Sequence, residues 1–191
     1  MKSNKTKLII ITGLSGSGKS VALHALEDLG FFCIDNLSPN MILNMLDTII
    51  KSKEKIYNKI AVSIDIRSIK MESDYNKSID GLYNKLSFLN INITTIFLHS
   101  SYKVLLSRFN ATRRLHPLST GKINLDIAIK KEAKIMMHLK ENSNLIIDTD
   151  DLLPIELKKQ ISSKVSIIKK DKDILIQLQS FGYKNRIPDD S

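Results

Sequence analysis

Gly13-Leu14-Ser15-Gly16-Ser17-Gly18-Lys19-Ser20 matches the pattern G-x-x-x-x-G-K-[ST] at every fixed position. Each fixed residue has a chemical reason. Gly13, Gly16 and Gly18 let the backbone turn tightly and bring its N–H groups close to phosphate oxygens. The helix expected after the loop points free N–H groups and its positive dipole end at the same anion. Lys19 offers a compact positive charge to β- and γ-phosphates, a catalytic as well as a binding role, and the Ser20 hydroxyl can join a Mg²⁺ shell. The apolar run Leu8-Ile9-Ile10-Ile11 precedes the loop and an amphipathic stretch follows it. A chance glycine-rich turn would not meet the fixed positions and both flanks, so a cradle for ATP or GTP with Mg²⁺ is expected.

Three carboxylates fall at the ends of predicted strands: Asp35 after Phe31-Phe32-Cys33-Ile34, Asp65 after Ala61-Val62-Ser63-Ile64, and Asp148 after Leu145-Ile146-Ile147. The carboxyl ends of strands in an open α/β sheet face the ligand crevice. A carboxylate there can hold a metal-bound water or orient a nucleophile; an aspartate also simply caps loops and helices. The residues alone leave these readings even, with Asp35 and Asp65 favoured because they share the first half of the chain with the loop. Arg108, Arg113 and Arg114 occupy three of seven positions, just before His116 and Pro117. Planar guanidinium groups clamp phosphate oxygens, which makes Arg113 and Arg114 candidates for a catalytic lid, with Arg108 behind them. The plain alternative is a solvated basic helix end.

The elements that must position these residues follow from periodicity. Strands are expected over 8–12, 31–34, 60–66, 93–98 and 145–147, and helices over 17–29, 39–51, 73–89, 102–113, 125–139 and 154–165. Ser38 is the expected N-cap and Pro39 the first residue of the second helix, and Gly30 ends the first. Near-continuous apolar strands between amphipathic helices indicate a mostly parallel sheet covered on both faces. The fold class is α/β, a P-loop NTPase three-layer sandwich. Residues 1–168 form the nucleotide-binding domain. Residues 169–191 break the rhythm, with 173–179 alternating like an exposed or edge strand, and form a tail or the vestigial start of a second domain.

The 191 residues suit one domain, and 42% hydrophobic with 26% charged residues is ordinary for a globular protein. Cys33 is the single cysteine, which excludes an intrachain disulfide and fits a cytoplasmic location. The run Leu8–Ile11 is far too short for a bilayer, so no membrane partner is expected. A net charge of +9 attracts polyanions, yet no RNA-reading module with interleaved aromatics is visible. Weak, salt-sensitive RNA contact is the expectation.

The stretch GLSGSGKSVALHALEDLGFFCIDNLSP resembles the opening of the RapZ family, RNase adapter proteins that bind nucleotides. Asp65-Ile66-Arg67-Ser68, Thr112-Arg113-Arg114 with His116-Pro117-Leu118, Ile147-Asp148-Thr149 and Ser180-Phe181-Gly182-Tyr183-Lys184 extend the resemblance along the chain. The resemblance implies an ATP-type loop at Gly13 to Ser20 and a second nucleotide motif, associated with GTP, at Asp65, Ile66, Arg67 and Ser68; Ser68 stands where the family often has Asn. It further implies slow NTPase activity and a regulatory role with an RNA or RNase partner, much of which belongs to a C-terminal domain beginning where this chain stops. A homo-oligomer is compatible with it. The competing reading is a small-molecule P-loop kinase with Asp35 as base and the arginines as lid. Met41 to Ile50 reads as a plain amphipathic helix, without the polar constellation of an acceptor site.

Overall fold

The computed structural model describes residues 6–52, 55–69, 75–89, 91–119 and 123–167. The readings for 173–179 and for the tail lie outside them. Strand β1 (Lys7–Gly13) leads into helix α1 (Lys19–Asp28), followed by β2 (Phe32–Ile34) and α2 (Pro39–Ser52). A single 3₁₀ turn, Lys55–Asn58, precedes β3 (Lys59–Ser63), the short α3 (Ile66–Ile69) and α4 (Tyr75–Phe88). Then come β4 (Asn92–His99), α5 (Tyr102–Thr112), α6 (Leu125–Glu141), β5 (Leu145–Asp148) and α7 (Pro154–Ile167). The five strands lie in the order β2-β3-β1-β4-β5, and every pairing is parallel.

The alternation of side chains along β1 explains why its run is apolar throughout. Leu8 and Ile10 face one side, packing with Ile42, Leu46, Ile79, Leu82 and Met136. Ile9 and Ile11 face the other, packing with Ala22, Leu26, Ile161 and Val165. Helices α2, α4 and α6 therefore cover one face and α1 and α7 the other, which is the three-layer sandwich expected. A strand buried on both sides has no polar position to spare.

Most boundaries shift by a residue or two and the short α3 is unexpected; two of the shifts have a clear local reason. Helix α1 starts at Lys19 rather than Ser17, because Gly18 sits in the left-handed region at φ 103°. Strand β3 stops at Ser63 rather than running to 66. Asp65 ends it: its Oδ1 accepts the Arg67 N–H at 3.0 Å, and its carbonyl accepts the Ser68 N–H, which starts α3. Gly30 terminates α1 as expected, at φ 76°, with Gly30 N–H donating to Glu27 O and Phe31 N–H to Leu26 O. Ser38 Oγ accepts the Met41 N–H at the start of α2.

Gly13 is the joint between sheet and loop. A Cβ there would lie 2.3 Å from Leu98 O and 2.9 Å from Ser17 Oγ, at a backbone φ of +141°. Leu98 O is backbone held in β4 opposite Gly13, so it cannot yield. Gly13→Ala is expected to destabilise the protein by about 3 kcal/mol, a fall in thermal midpoint on the order of 10 °C. A parent-like melting curve would contradict this account of the joint.

Candidate functional site

The loop between β1 and α1 takes its shape from Gly13, Gly16 and Gly18, all at positive φ. Lys19 and Ser20 open α1, where helical N–H groups have no carbonyl partner of their own. A cleft of about 300 Å³ lies over this end, lined by Ser15, Gly16, Gly18, Lys19, Ser20, Val21, Asp65, Arg67, Phe109, Arg114, Leu115 and Pro117. The pattern read from sequence thus occupies the floor of one crevice at the carboxyl edge of the sheet.

The lysine is held in place by three acceptors. Lys19 Nζ donates to Gly13 O at 2.7 Å and Leu14 O at 3.0 Å, and lies 3.2 Å from Asp65 Oδ2. Asp65 is almost wholly buried, and its Oδ1 also accepts from Arg67 Nε at 3.0 Å. Burial alone would raise the Asp65 pKa; the Lys19 charge and the Arg67 hydrogen bonds outweigh it and bring it down to about 2. Asp65 is therefore ionised beside the loop lysine at neutral pH.

Of the four residues in the second motif, Asp65 and Arg67 line the cleft beside Lys19. Ile66 and Ser68 are buried, Ile66 in the apolar core and Ser68 with its hydroxyl on Asp65 O. Asp35 is exposed at the end of β2, where it accepts a short hydrogen bond from Ser63 Oγ. It borders a second cleft of about 170 Å³ with Ser20, Leu23, His24, Glu27 and Cys33. Burial, then the Glu27 charge, push the Cys33 thiol up to about 11, so it stays protonated and unreactive near neutrality. Asp148 is exposed and caps the turn after β5 by accepting the Asp150 N–H, outside both clefts.

The three arginines separate. Arg114 lines the main cleft and Arg113, left-handed at φ 51°, ends α5 as an exposed residue. Arg108 points inward and is a brace. Its Nη1 donates to Gly16 O and Ser100 Oγ at 3.1 Å and to Thr149 Oγ1 at 3.2 Å, while Nη2 donates to Thr149 O. Thr149 Oγ1 also lies 3.1 Å from Ser17 O. The loop is therefore anchored to the ends of β4 and β5.

Sequence reasoning missed Glu132. This residue on α6 is wholly buried and accepts from Ser15 N–H at 3.0 Å, from Ser15 Oγ–H at 2.7 Å and from His116 Nε2 at 2.9 Å. The signal was present: Glu132 falls on the inward stripe Ala128, Ile129, Met136 and Leu139.

The parallel sheet and the glycine loop at its carboxyl edge make this a P-loop α/β fold. The shikimate kinase of Acinetobacter baumannii, solved with shikimate, superposes with a TM-score of 0.54 at 13% identity, covering 88% of this chain and 97% of that one. The YorR protein of Bacillus subtilis, solved with phosphorylated GDP, superposes with a TM-score of 0.57 at 17% identity, covering 85% and 97%. At such identities these likenesses speak for the fold alone. Residues 6–169 match the RapZ-like N-terminal domain, and the chain belongs to that family. A nucleotide-binding protein of Pseudoalteromonas translucida, PSHAa2554, is 40% identical over 95% of this chain and 62% of its own length. One from Listeria monocytogenes serotype 4b, Lm4b_02443, is 40% identical over 100% of this chain and 63% of its own. The chain thus spans less than two-thirds of these relatives. No described helix is long and apolar enough to cross a membrane.

Asp65→Asn tests the electrostatics. A carboxyl lowered to about 2 contributes stability above its unfolded value near 4, and that stability is lost as pH falls from 4 toward 2. The parent is expected to lose about 2 kcal/mol from this group over that window. The Asn variant should start less stable at neutral pH and show a flatter acid limb in denaturant titrations. An identical acid limb in both proteins would refute the ion pair.

Proposed function

We propose that the chain binds ATP or GTP with Mg²⁺ in the cleft over Gly13 to Ser20 and hydrolyses it slowly, as the nucleotide-responsive domain of a cytoplasmic regulatory protein. The convergence of Lys19, Ser20, Asp65, Arg67 and Arg114 on one cleft at a helix N-terminus carries this reading. The names of the relatives in Pseudoalteromonas and Listeria support its nucleotide-binding part. Domain boundaries of 1–168 and 169–191 belong to the same proposal.

The donor set suits Mg²⁺, a hard cation that takes few protein ligands and keeps phosphate oxygens and waters. Among the described residues no group of three or more His, Cys, Asp or Glu side chains could hold a metal by itself. Ser20 opens onto the main cleft with Asp65 and onto the second with Asp35, so these hydroxyl and carboxylate oxygens would hold the ion. When bound, Mg²⁺ neutralises charge on the phosphates. Lys19 is positioned to exchange its Asp65 contact for a phosphate oxygen, and Asp65 and Arg67 act at the phosphate end. Arg114 from the cleft lining, with Arg113 beside it in sequence, would supply guanidinium charge, which counts most as negative charge develops.

An RNase-adapter role, with an RNA or protein partner, is carried by the family resemblance, and a homo-oligomer is compatible with it. RNA contact through this chain is expected to be weak and to fade with salt.

A second reading, a small-molecule kinase, is favoured by the 170 Å³ cleft beside Ser20 and Asp35. It requires that some hydroxylated acceptor accelerate diphosphate release and that Asp35→Ala abolish the acceleration. A screen of polyhydroxylated compounds without stimulation leaves the regulatory reading.

Calorimetric titration with ATP, GTP and their diphosphates, with and without Mg²⁺, tests the main proposal. Lys19→Ala is expected to stay folded and lose at least about tenfold in triphosphate affinity, the scale of one charge-assisted contact. Ser20→Ala should weaken binding more with Mg²⁺ than without. Parent-like binding by folded Lys19→Ala would sink the phosphate-cradle reading. Replacing Arg113 and Arg114 together by Ala should lower the single-turnover hydrolysis rate more than the affinity. A proportional loss in both would return these arginines to a solvated helix end.

A further inference from the structure

Glu132 is a carboxylate with no exposed surface and no lysine or arginine among its hydrogen-bond partners. Burying such a group costs several kcal/mol unless its lone pairs are filled. Here three donors fill them. Two come from the phosphate loop, Ser15 N–H and Ser15 Oγ–H. The third is His116 Nε2. His116 Nδ1 accepts the Leu118 N–H at 3.1 Å, which assigns the ring proton to Nε2 and makes it the donor. These hydrogen bonds all run one way, from Leu118 N–H through His116 and from Ser15, toward Glu132.

The two groups it joins belong to two segments that border the main cleft. Ser15 belongs to the floor. His116 lies between Arg114, Leu115 and Pro117, which line the wall, and it is buried as firmly as Leu118 on its other flank. Its ring also packs on Phe109 at 5.1 Å between centroids, and Phe109 is the nearest side chain to Gly16 in the loop. The wall segment thus reaches the loop through two intermediaries, the Glu132 carboxylate and the Phe109 ring, while its outer residue Leu115 is 88% exposed.

We propose that Glu132, through His116, is a positioning residue that couples the phosphate loop to the arginine-bearing wall, so that a triphosphate seated on the loop orders residues 113–118. This rests on the nucleotide-binding reading and adds a residue pair that carries the coupling. Ser15 N–H is turned away from the cleft into this clasp. Glu132 therefore acts by holding the loop and the wall in register and touches no phosphate itself.

The test uses the whole chain with Mg²⁺ and ATP or GTP, whichever the parent binds. Glu132→Gln puts an NH₂ against either Ser15 N–H or His116 Nε2–H, and His116→Leu removes the third donor. Each variant, shown folded by circular dichroism, is expected to lose at least about tenfold in calorimetric affinity, the scale of a lost hydrogen bond to a buried charge. The double variant should lose no more than the worse single one, because the pair acts as one unit. His116→Gln, which keeps an amide donor, should stay within about threefold of the parent. Amide exchange over 113–118, slowed by triphosphate in the parent, should not be slowed in Glu132→Gln. If Glu132→Gln fails to fold, the His116 pair of variants carries the same readouts. Parent-like affinity in folded variants, multiplying losses, or equal slowing of 113–118 would each overturn the coupling. If the parent binds no triphosphate, the nucleotide reading falls first and the coupling with it.

Discussion

The seat of Gly13 against β4 sets the terms for everything above it. The chain must leave a fully paired central strand and, within five residues, present helix N–H groups outward from the sheet edge. It can do so only where backbone meets backbone, with Leu98 O in the space a side chain would fill. From that joint the loop has little freedom. Ser15 is bonded to Glu132, Gly16 O to Arg108 and Ser17 O to Thr149, so adjacent loop residues are tied to α6, α5 and the turn after β5. Preorganisation of this kind means that a bound anion meets dipoles already in place.

The charges on the floor follow the same logic. A buried lysine beside a glycine loop would be costly without a counter-ion. Asp65 supplies it and is in turn held by Arg67. The loop lysine is therefore aimed by contacts that exist before any phosphate arrives. The +9 net charge contributes something different, a long-range field that draws polyanions without choosing among them.

The loop from Gly13 to Ser20 was legible because its chemistry is local: glycines, lysine and hydroxyl sit in one short run. The sandwich was legible because strands such as Leu8–Ile11 are buried on both sides and the helices show one apolar stripe each. The end of β3 was not legible. Ile64 and Ile66 continue an apolar pattern, and only the Asp65 side chain, turning back onto Arg67 N–H, stops the strand. Arg108 looked like a companion of Arg113 and Arg114, yet its partners Gly16 and Thr149 lie 92 and 41 residues away, beyond what spacing can report. Glu132 stood on an inward stripe in plain view, but recognising it required His116 and Ser15 to be known neighbours. The GTP association that the family resemblance implies for Asp65 to Ser68 has no local chemical signature at all.

The strand order has a consequence for synthesis. β1 emerges from the ribosome first but lies in the middle of the sheet, paired with β3 and β4. Its first partner follows some fifty residues later and its second about eighty-five. At ~5–20 residues per second, an apolar β1 therefore waits several seconds with both edges open. The glycine loop inherits that delay, since Leu98 must arrive to seat Gly13 and Glu132 to bind Ser15. The part of the molecule nearest the start of the chain is thus among the last to acquire its shape. During that interval the nascent chain exposes an apolar β-strand of the sort that chaperones cover.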